Sequence, residues 1–131
     1  MVKRKLHHVG IVIPNEEAAR EFMALAGLEE EYNGYVPEYR TLCIFCKGND
    51  ASQVELVVPN GGKLAEYNGG KPGIHHIAFH VDDWEALQAE MAAKGIQLLD
   101  ATPVKGAGEF TVNFARPKTT GGILVEFVKC K

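Results

Sequence analysis

The stretch LHHVGIVI at residues 6–13 returns as IHHIAFHV at residues 74–81, a shift of 68 residues. The same shift separates Gly27 from Gly95, and each glycine follows a segment with an apolar stripe at helical spacing. A glycine in that position is typical of a left-handed helix cap. Because the two shifts agree, the sequence predicts an internal duplication.

Each copy continues from its first strand into a helix and then into further strands. Asn15 and Asp83 stand at the two predicted helix starts, where a side-chain oxygen can accept a backbone N–H. Strand-like runs follow at 41–47, 53–58, 110–115 and 122–128. We therefore predict an α+β fold in which two βαβββ modules, about 1–68 and about 74–131, pair into one curved, mostly antiparallel sheet around a shared cavity. Residues 1–131 are expected to form a single domain, because neither module would bury its sheet alone.

The composition argues against several classes of function. The chain has 131 residues, is 46% hydrophobic and carries a formal net charge of −3, and its basic residues are scattered. We therefore expect no nucleic-acid or membrane partner. No apolar stretch is long enough to span a bilayer, and the N-terminal run is too short for a signal peptide. Three cysteines without framework spacing favour the reducing cytoplasm.

The duplication repeats two types of metal-binding residue. His8 corresponds to His76, and Glu55 in VEL corresponds to Glu126 in VEF. A single strand histidine is more often a hydrogen-bonding residue, and a single strand glutamate is usually solvated. A buried carboxylate within the apolar run ILVEFV is costly unless a charged partner such as a cation compensates it. The two related pairs therefore favour one divalent ion bound by two imidazoles and two carboxylates, a set suited to Zn, Co, Mn, Ni or Fe.

The motifs HHVGIVIP, SQVELVVP, GIHHIAFHVDD and GGILVEFV resemble the vicinal oxygen chelate superfamily, and the resemblance covers nearly the whole chain. This superfamily includes glyoxalase I, methylmalonyl-CoA epimerase, ring-cleaving dioxygenases and antibiotic-resistance proteins. The later segments at 95–99, 112–114, 116–118 and 121–126 most resemble methylmalonyl-CoA epimerase. The resemblance implies a metal-dependent epimerase or isomerase that acts through an enolate on a small molecule, an α-substituted acyl substrate such as a CoA thioester. For chains of this size it also implies a homodimer.

The resemblance assigns roles to individual residues. The four ligand positions of the superfamily fall on the two histidines and two glutamates named above. Glu126 becomes the candidate base, because the last ligand of this superfamily can leave the metal, and Glu55 becomes its partner. Lys118 and Arg116, beside the final hairpin, could attract an anionic thioester or carboxylate, although cations near a turn are usually only solvated.

Two departures from the epimerases keep other reactions open. The second ligand is often glutamine in the epimerases and is Glu55 here, as in glyoxalase I, which favours a lyase that acts on a thiol hemithioacetal. The epimerases also carry a non-ligand glutamate on the preceding strand, where this chain has Arg40 and Thr41, with Glu38 close by. A non-enzymatic ligand-binding protein of the resistance type is a third alternative, and the complete ligand set argues against it.

Overall fold

A computed structural model describes residues 1–48 and 51–130. The strands are β1 (Lys5–Val12), β2 (Glu30–Val36), β3 (Thr41–Cys46), β4 (Gln53–Pro59), β5 (Gly73–His80), β6 (Val104–Lys105), β7 (Phe110–Ala115) and β8 (Val125–Cys130). The helices are α1 (Glu16–Ala26) and α2 (Trp84–Ala93), with short 3-10 helices at Pro37–Tyr39, Lys63–Gly70 and Pro117–Thr119. The elements follow the order βαβββ twice, so the predicted α+β class and the duplication are confirmed.

The chain divides into two compact units. The first unit is His8–His75, and the second consists of Met1–His7 together with the residues from His76 onward. In the first unit the strand order is β2-β3-β4-β1, and in the second it is β6-β7-β8-β5. The first and last strands of each unit are parallel, and the remaining pairs are antiparallel. Each unit therefore repeats the same arrangement, and antiparallel pairing predominates as predicted.

The helix boundaries follow from the capping residues. Asn15 and Asp83 each accept the backbone N–H of the third following residue, at 2.8 and 3.0 Å. Gly27 and Gly95 have φ values of 70° and 71°, a conformation that costs glycine little because it has no Cβ. Among the described residues, no helix has both the length and the apolar character needed to cross a membrane.

Each helix covers one face of its own unit's strands. Ala19 and Met23 of α1 pack with Ile13, Ile44, Cys46, Leu56 and Val58. Leu87 and Met91 of α2 pack with Val81, Ala115 and Phe127. Successive side chains of a strand point to opposite faces, so Glu55 and Glu126, each next to a core residue, lie on the face away from the helix.

The second unit anchors its helix with the first residues of the chain. The N–H of Val2 donates to Glu90 Oε1 of α2 at 2.7 Å, and Arg4 donates to Glu90 Oε2. Lys94 donates to the same carboxylate at 2.9 Å. These hydrogen bonds lower the pKa of Glu90 to about 2, and the bond from Arg4 is the largest cause. The N-terminal segment thus belongs with the second unit.

The first unit anchors its helix at the surface. Arg20 of α1 donates to Glu16 at 3.0 Å and to Glu30, at the start of β2, at 2.5 Å. The hydrogen bond from Arg20 is the largest cause of the lowered pKa of Glu30, and Asn33 adds to it. Hydrogen bonds to Glu30 and Glu16 raise the pKa of Arg20. The Arg20 side chain is 42% exposed, so solvent screens these pairs.

The last strand begins later than the predicted start at residue 122. Gly121 and Gly122 have φ values of 74° and 92°, and the hydroxyl of Thr120 donates to the carbonyl of Ile123 at 2.5 Å. These features close a turn, so pairing with β7 begins only at Val125. The sequence had shown an apolar run there, and the turn within it follows from backbone conformation rather than hydropathy.

Candidate metal centre

Each unit holds one histidine beside one glutamate. The distance from His8 Nε2 to Glu55 Oε1 is 3.1 Å, and the distance from His76 Nε2 to Glu126 Oε1 is 3.2 Å. All four residues are buried, with exposed fractions of 1, 5, 6 and 6% in that order. Two donor atoms that each lie about 2.1 Å from one ion, at an angle between about 90° and 110°, are about 3.0–3.4 Å apart. Both pairs therefore have the spacing of two ligands of one ion.

Strand register brings each pair together. Gly10 of β1 stands opposite Glu55, and Ala78 of β5 stands opposite Glu126. The histidine of each of these strands lies two residues earlier and therefore on the same face. A glycine or an alanine opposite the carboxylate leaves space in which the glutamate side chain can lie beside the imidazole. The parallel strand pair is thus the local reason for each His–Glu contact.

A phenylalanine stands on the other side of each glutamate. Phe45 of β3 is opposite Glu55, and Phe114 of β7 is opposite Glu126. The ring of Phe45 meets the imidazole of His8 edge-on, with centroids 5.0 Å apart and planes at 84°. Phe114 meets the imidazole of its own unit's histidine at 5.7 Å and 85°. The sequence analysis did not identify these two phenylalanines. Their equivalent positions in the two repeats, on β3 and β7, could have indicated that they belong to the site.

The donor chemistry fits a divalent cation. His8, Glu55, His76 and Glu126 form a buried group in which each residue offers one ligand atom. Two imidazole nitrogens and two carboxylate oxygens suit a divalent metal ion such as zinc, cobalt, nickel or manganese. A carboxylate this deeply buried is costly unless positive charge or polar partners compensate it. The residues present are therefore able to bind a metal ion.

Residues 7–114 match the family described as the Glyoxalase/Bleomycin resistance protein/Dioxygenase superfamily. The chain belongs to this superfamily. The mitochondrial methylmalonyl-CoA epimerase of Dictyostelium discoideum is 32% identical over 127 residues, which cover 93% of this chain and 76% of that protein. The predicted resemblance is therefore confirmed.

Two further relatives are matched over nearly their own whole length. The ethylmalonyl-CoA/methylmalonyl-CoA epimerase of Cereibacter sphaeroides is 31% identical over 93% of this chain and 95% of its own. A variant of Streptomyces coelicolor methylmalonyl-CoA epimerase, solved in complex with 2-nitronate-propionyl-CoA, superposes with a TM-score of 0.87. It is 30% identical, and the match covers 99% of both chains. These relatives are named as epimerases, which are isomerases.

Arg40 and Thr41, which the sequence predicts to match the non-ligand glutamate of the epimerases, carry no carboxylate. Thr41 is 3% exposed, and its hydroxyl donates to the carbonyl of Val58 at 3.1 Å. Arg40 is exposed with a φ of 49°, and its guanidinium lies so close to Gly61 that a Cβ there would be 2.8 Å from Nη2. Glu38 is exposed on the preceding 3-10 helix. A neutral hydroxyl and a cation therefore occupy these two positions.

The two predicted substrate-binding cations lie in the turn between β7 and β8. Arg116 and Lys118 flank Pro117 in the short 3-10 helix region, and both are exposed. The turn is held by the N–H of Gly122, which donates to the carbonyl of Pro117 at 2.8 Å. Two exposed positive charges on a closed turn are placed to meet an anion from solvent, and whether they bind substrate stays a prediction.

Proposed function

We propose that this chain is a metal-dependent epimerase or isomerase of an α-substituted acyl-CoA thioester, with methylmalonyl-CoA or a close analogue as substrate. The observation that carries the proposal is the repeated buried pair, with His–Glu separations of 3.1 and 3.2 Å. The names of the relatives supply the substrate class, since they act on methylmalonyl-CoA and ethylmalonyl-CoA. The chain is proposed to work as one domain and as a homodimer in the cytoplasm.

One divalent ion is proposed to bind His8, Glu55, His76 and Glu126 together. Zinc, cobalt, nickel and manganese all accept this donor set. A divalent ion at this position supplies Lewis acidity, which stabilises negative charge as it develops on a carbonyl oxygen. The rest of the chemistry belongs to the side chains of the protein.

Glu126 is the proposed base. Its carboxylate takes the proton from the carbon next to the thioester carbonyl, and the electron pair of that C–H bond delocalises toward the carbonyl oxygen. Return of a proton to the opposite face of the same carbon inverts its configuration. Glu55, after it has taken up a proton from solvent, is the proposed donor for that return, and Glu126 then releases the proton it removed to solvent. Arg116 and Lys118 are proposed to attract the negative charges of the thioester from solvent.

The proposal is tested by hydrogen exchange in deuterated water. Metal-loaded protein should incorporate deuterium at the α-carbon of methylmalonyl-CoA, as measured by mass spectrometry. It should also convert a single epimer into a mixture of both epimers. Glu126→Gln should abolish exchange in protein that still contains metal, whereas Glu38→Gln, a change at an exposed carboxylate, should leave it intact. Loss of exchange in the Glu38 variant would move the base to that residue. A metal-loaded protein that exchanges no carbon acid would refute the proposal.

A lyase of the glyoxalase I type is the second candidate, because Glu55 provides a carboxylate where the epimerases often have glutamine. Thr41, at a position predicted to match the second base of the epimerases, offers only a hydroxyl, and that hydroxyl donates to the carbonyl of Val58. The substrate to test is the hemithioacetal of methylglyoxal with a small thiol. Turnover of this substrate without epimerisation of methylmalonyl-CoA would establish the lyase and exclude the epimerase.

A further inference from the structure

A phenylalanine meets the proposed histidine ligand edge-on in each of the two units. We propose that Phe45 and Phe114 are positioning residues that hold the imidazole planes of His8 and His76 in the orientation needed for metal binding. This inference rests on the proposed metal centre. It concerns the rings that surround the ligands rather than the ligands themselves.

The ring contacts carry the argument. The planes of phenyl and imidazole meet at 84° in the first unit and 85° in the second, which is the edge-to-face arrangement that aromatic rings prefer. A rotation of the imidazole about its Cβ–Cγ bond would disrupt this arrangement and move Nε2 away from the carboxylate oxygen. Because a metal ligand must be held within a few tenths of an ångström, such a contact prepares the site before the ion arrives.

Each phenylalanine is itself held in place, by different means. Phe45 is 1% exposed, and Tyr32 stacks on it with centroids 5.0 Å apart and planes at 16°. Phe114 is 9% exposed, and both its backbone N–H and its carbonyl form hydrogen bonds. Its N–H donates to Asn113 Oδ1 at 2.9 Å, and its carbonyl accepts from Leu99 at 2.7 Å. A ring supports the first phenylalanine, and hydrogen bonds support the second.

Phe110 provides the matched comparison. It lies on β7 like Phe114, is 7% exposed, and meets the imidazole of His7 at 5.7 Å and 60°. His7 is not in the ligand group, and the residue opposite Phe110 is Cys130 rather than a glutamate. A change at Phe110 therefore removes the same kind of contact without touching the proposed centre.

The test replaces each of the three phenylalanines by leucine in the full chain. Cobalt affinity is measured by competition with a chelator, and the cobalt absorption spectrum reports the ligand geometry. Phe45→Leu and Phe114→Leu should weaken cobalt binding by roughly 10- to 100-fold, as changes behind metal ligands do, and should shift the visible bands. Phe110→Leu should match the wild type in both measurements. If a leucine variant does not fold, methionine at the same position fills the space without a ring and serves the same test.

The outcomes separate the two proposals. Wild-type cobalt affinity and an unchanged spectrum in the folded variants at positions 45 and 114 would overturn the positioning role and leave the metal centre standing. An equal loss of affinity in Phe110→Leu would also overturn it, because the effect would then be general destabilisation. A wild-type protein that binds no cobalt would refute the metal centre itself, before any variant is compared.

Discussion

The two units share their inner strands and differ in their outer ones. In both, the glutamate strand lies between a strand that bears histidine and a strand that bears phenylalanine. In the first unit the outer strand β2 has seven residues, and Tyr32 stacks behind Phe45. In the second unit the outer strand β6 has only two residues. The comparison indicates that the ligand pair depends on three strands and tolerates a different fourth.

A buried asparagine compensates for the short outer strand. Asn113 is fully buried, and its Oδ1 accepts from the N–H of Asp100 at 3.1 Å and from that of Phe114 at 2.9 Å. Its Nδ2 donates to the carbonyl of Asp100 at 2.9 Å. The side chain thus satisfies backbone groups that a full-length strand would have paired.

The largest expected effect comes from the histidines and tests whether the two units contribute equally. His8→Ala and His76→Ala should each weaken cobalt binding by more than roughly 100-fold. That is the largest effect usually seen when a residue that supports a metal ligand, rather than the ligand itself, is changed. Elemental analysis of the wild type should find one ion per chain. His80→Ala, a change on the same strand as His76, is the control and should leave binding unchanged. Loss in only one of the two ligand variants, or two ions per chain, would contradict a shared ion.

The next largest effect is expected at Asn113, whose side chain bonds backbone groups beside the short strand β6 of the second unit. Asn113→Ala leaves the backbone groups of Asp100 and the N–H of Phe114 without their present partner, so we expect a loss of about 2–4 kcal/mol in the free energy of unfolding. Chemical denaturation measures it. The control is Asn33→Ala on β2, whose exposed side chain donates to the carboxylate of Glu30; that change should cost less than about 0.5 kcal/mol. Equal losses would show that the outer parts of the two units are interchangeable.

The helix anchor of the second unit should show a pH dependence. The pKa of Glu90 is about 2 in the folded protein, below the value of about 4.3 for an unfolded chain. A lowered pKa contributes stability above the unfolded value, and this stability is lost as the pH falls from about 4 to about 2. Glu90→Gln should therefore lower the melting temperature at pH 7 and converge on the wild type near pH 2. A difference that is constant with pH would contradict this origin.

The smallest effect is expected at the helix anchor of the first unit. Arg20→Gln removes the ion pairs to Glu16 and Glu30, which are exposed, so the free energy of unfolding should fall by less than about 1 kcal/mol. Since salt screens such pairs, the difference should shrink in molar sodium chloride. Denaturation at two salt concentrations measures it. If Arg20→Gln lowered the free energy of unfolding more than Asn113→Ala does, the larger stabilising contribution would lie in the first unit, contrary to this prediction.

Local chemistry and the repeat made much of the fold predictable. Asn15, Asp83, Gly27 and Gly95 act through the backbone groups next to them, so their spacing was sufficient to place both helices. The ligand candidates were found because His8 and His76 are related by the 68-residue shift, and Glu55 and Glu126 lie in equivalent strand motifs 71 residues apart. The α+β class and the superfamily followed from the same pattern.

The remaining features depend on contacts that no local pattern encodes. Strand β2, with the sequence EEYNGYV, is polar and alternates between half-buried and exposed positions, so hydropathy did not locate it. Strand β6 is too short to show any periodicity. The association of Val2 and Arg4 with α2 joins residues that are distant in the chain. The contacts of Phe45 and Phe114 with the histidines depend on register, which the sequence alone left open.

The parallel pairing of β1 with β4 has a kinetic consequence. Strands β2, β3 and β4 can form hairpins between neighbours, whereas β1 meets β4 only after the whole intervening chain has closed. Such non-local contacts form slowly, so His8 reaches Glu55 late in folding. We therefore expect an ion that binds this pair to be absent from the transition state, so that it slows unfolding and leaves the refolding rate almost unchanged. Stopped-flow traces with and without cobalt would show this as a change in one arm of the chevron plot.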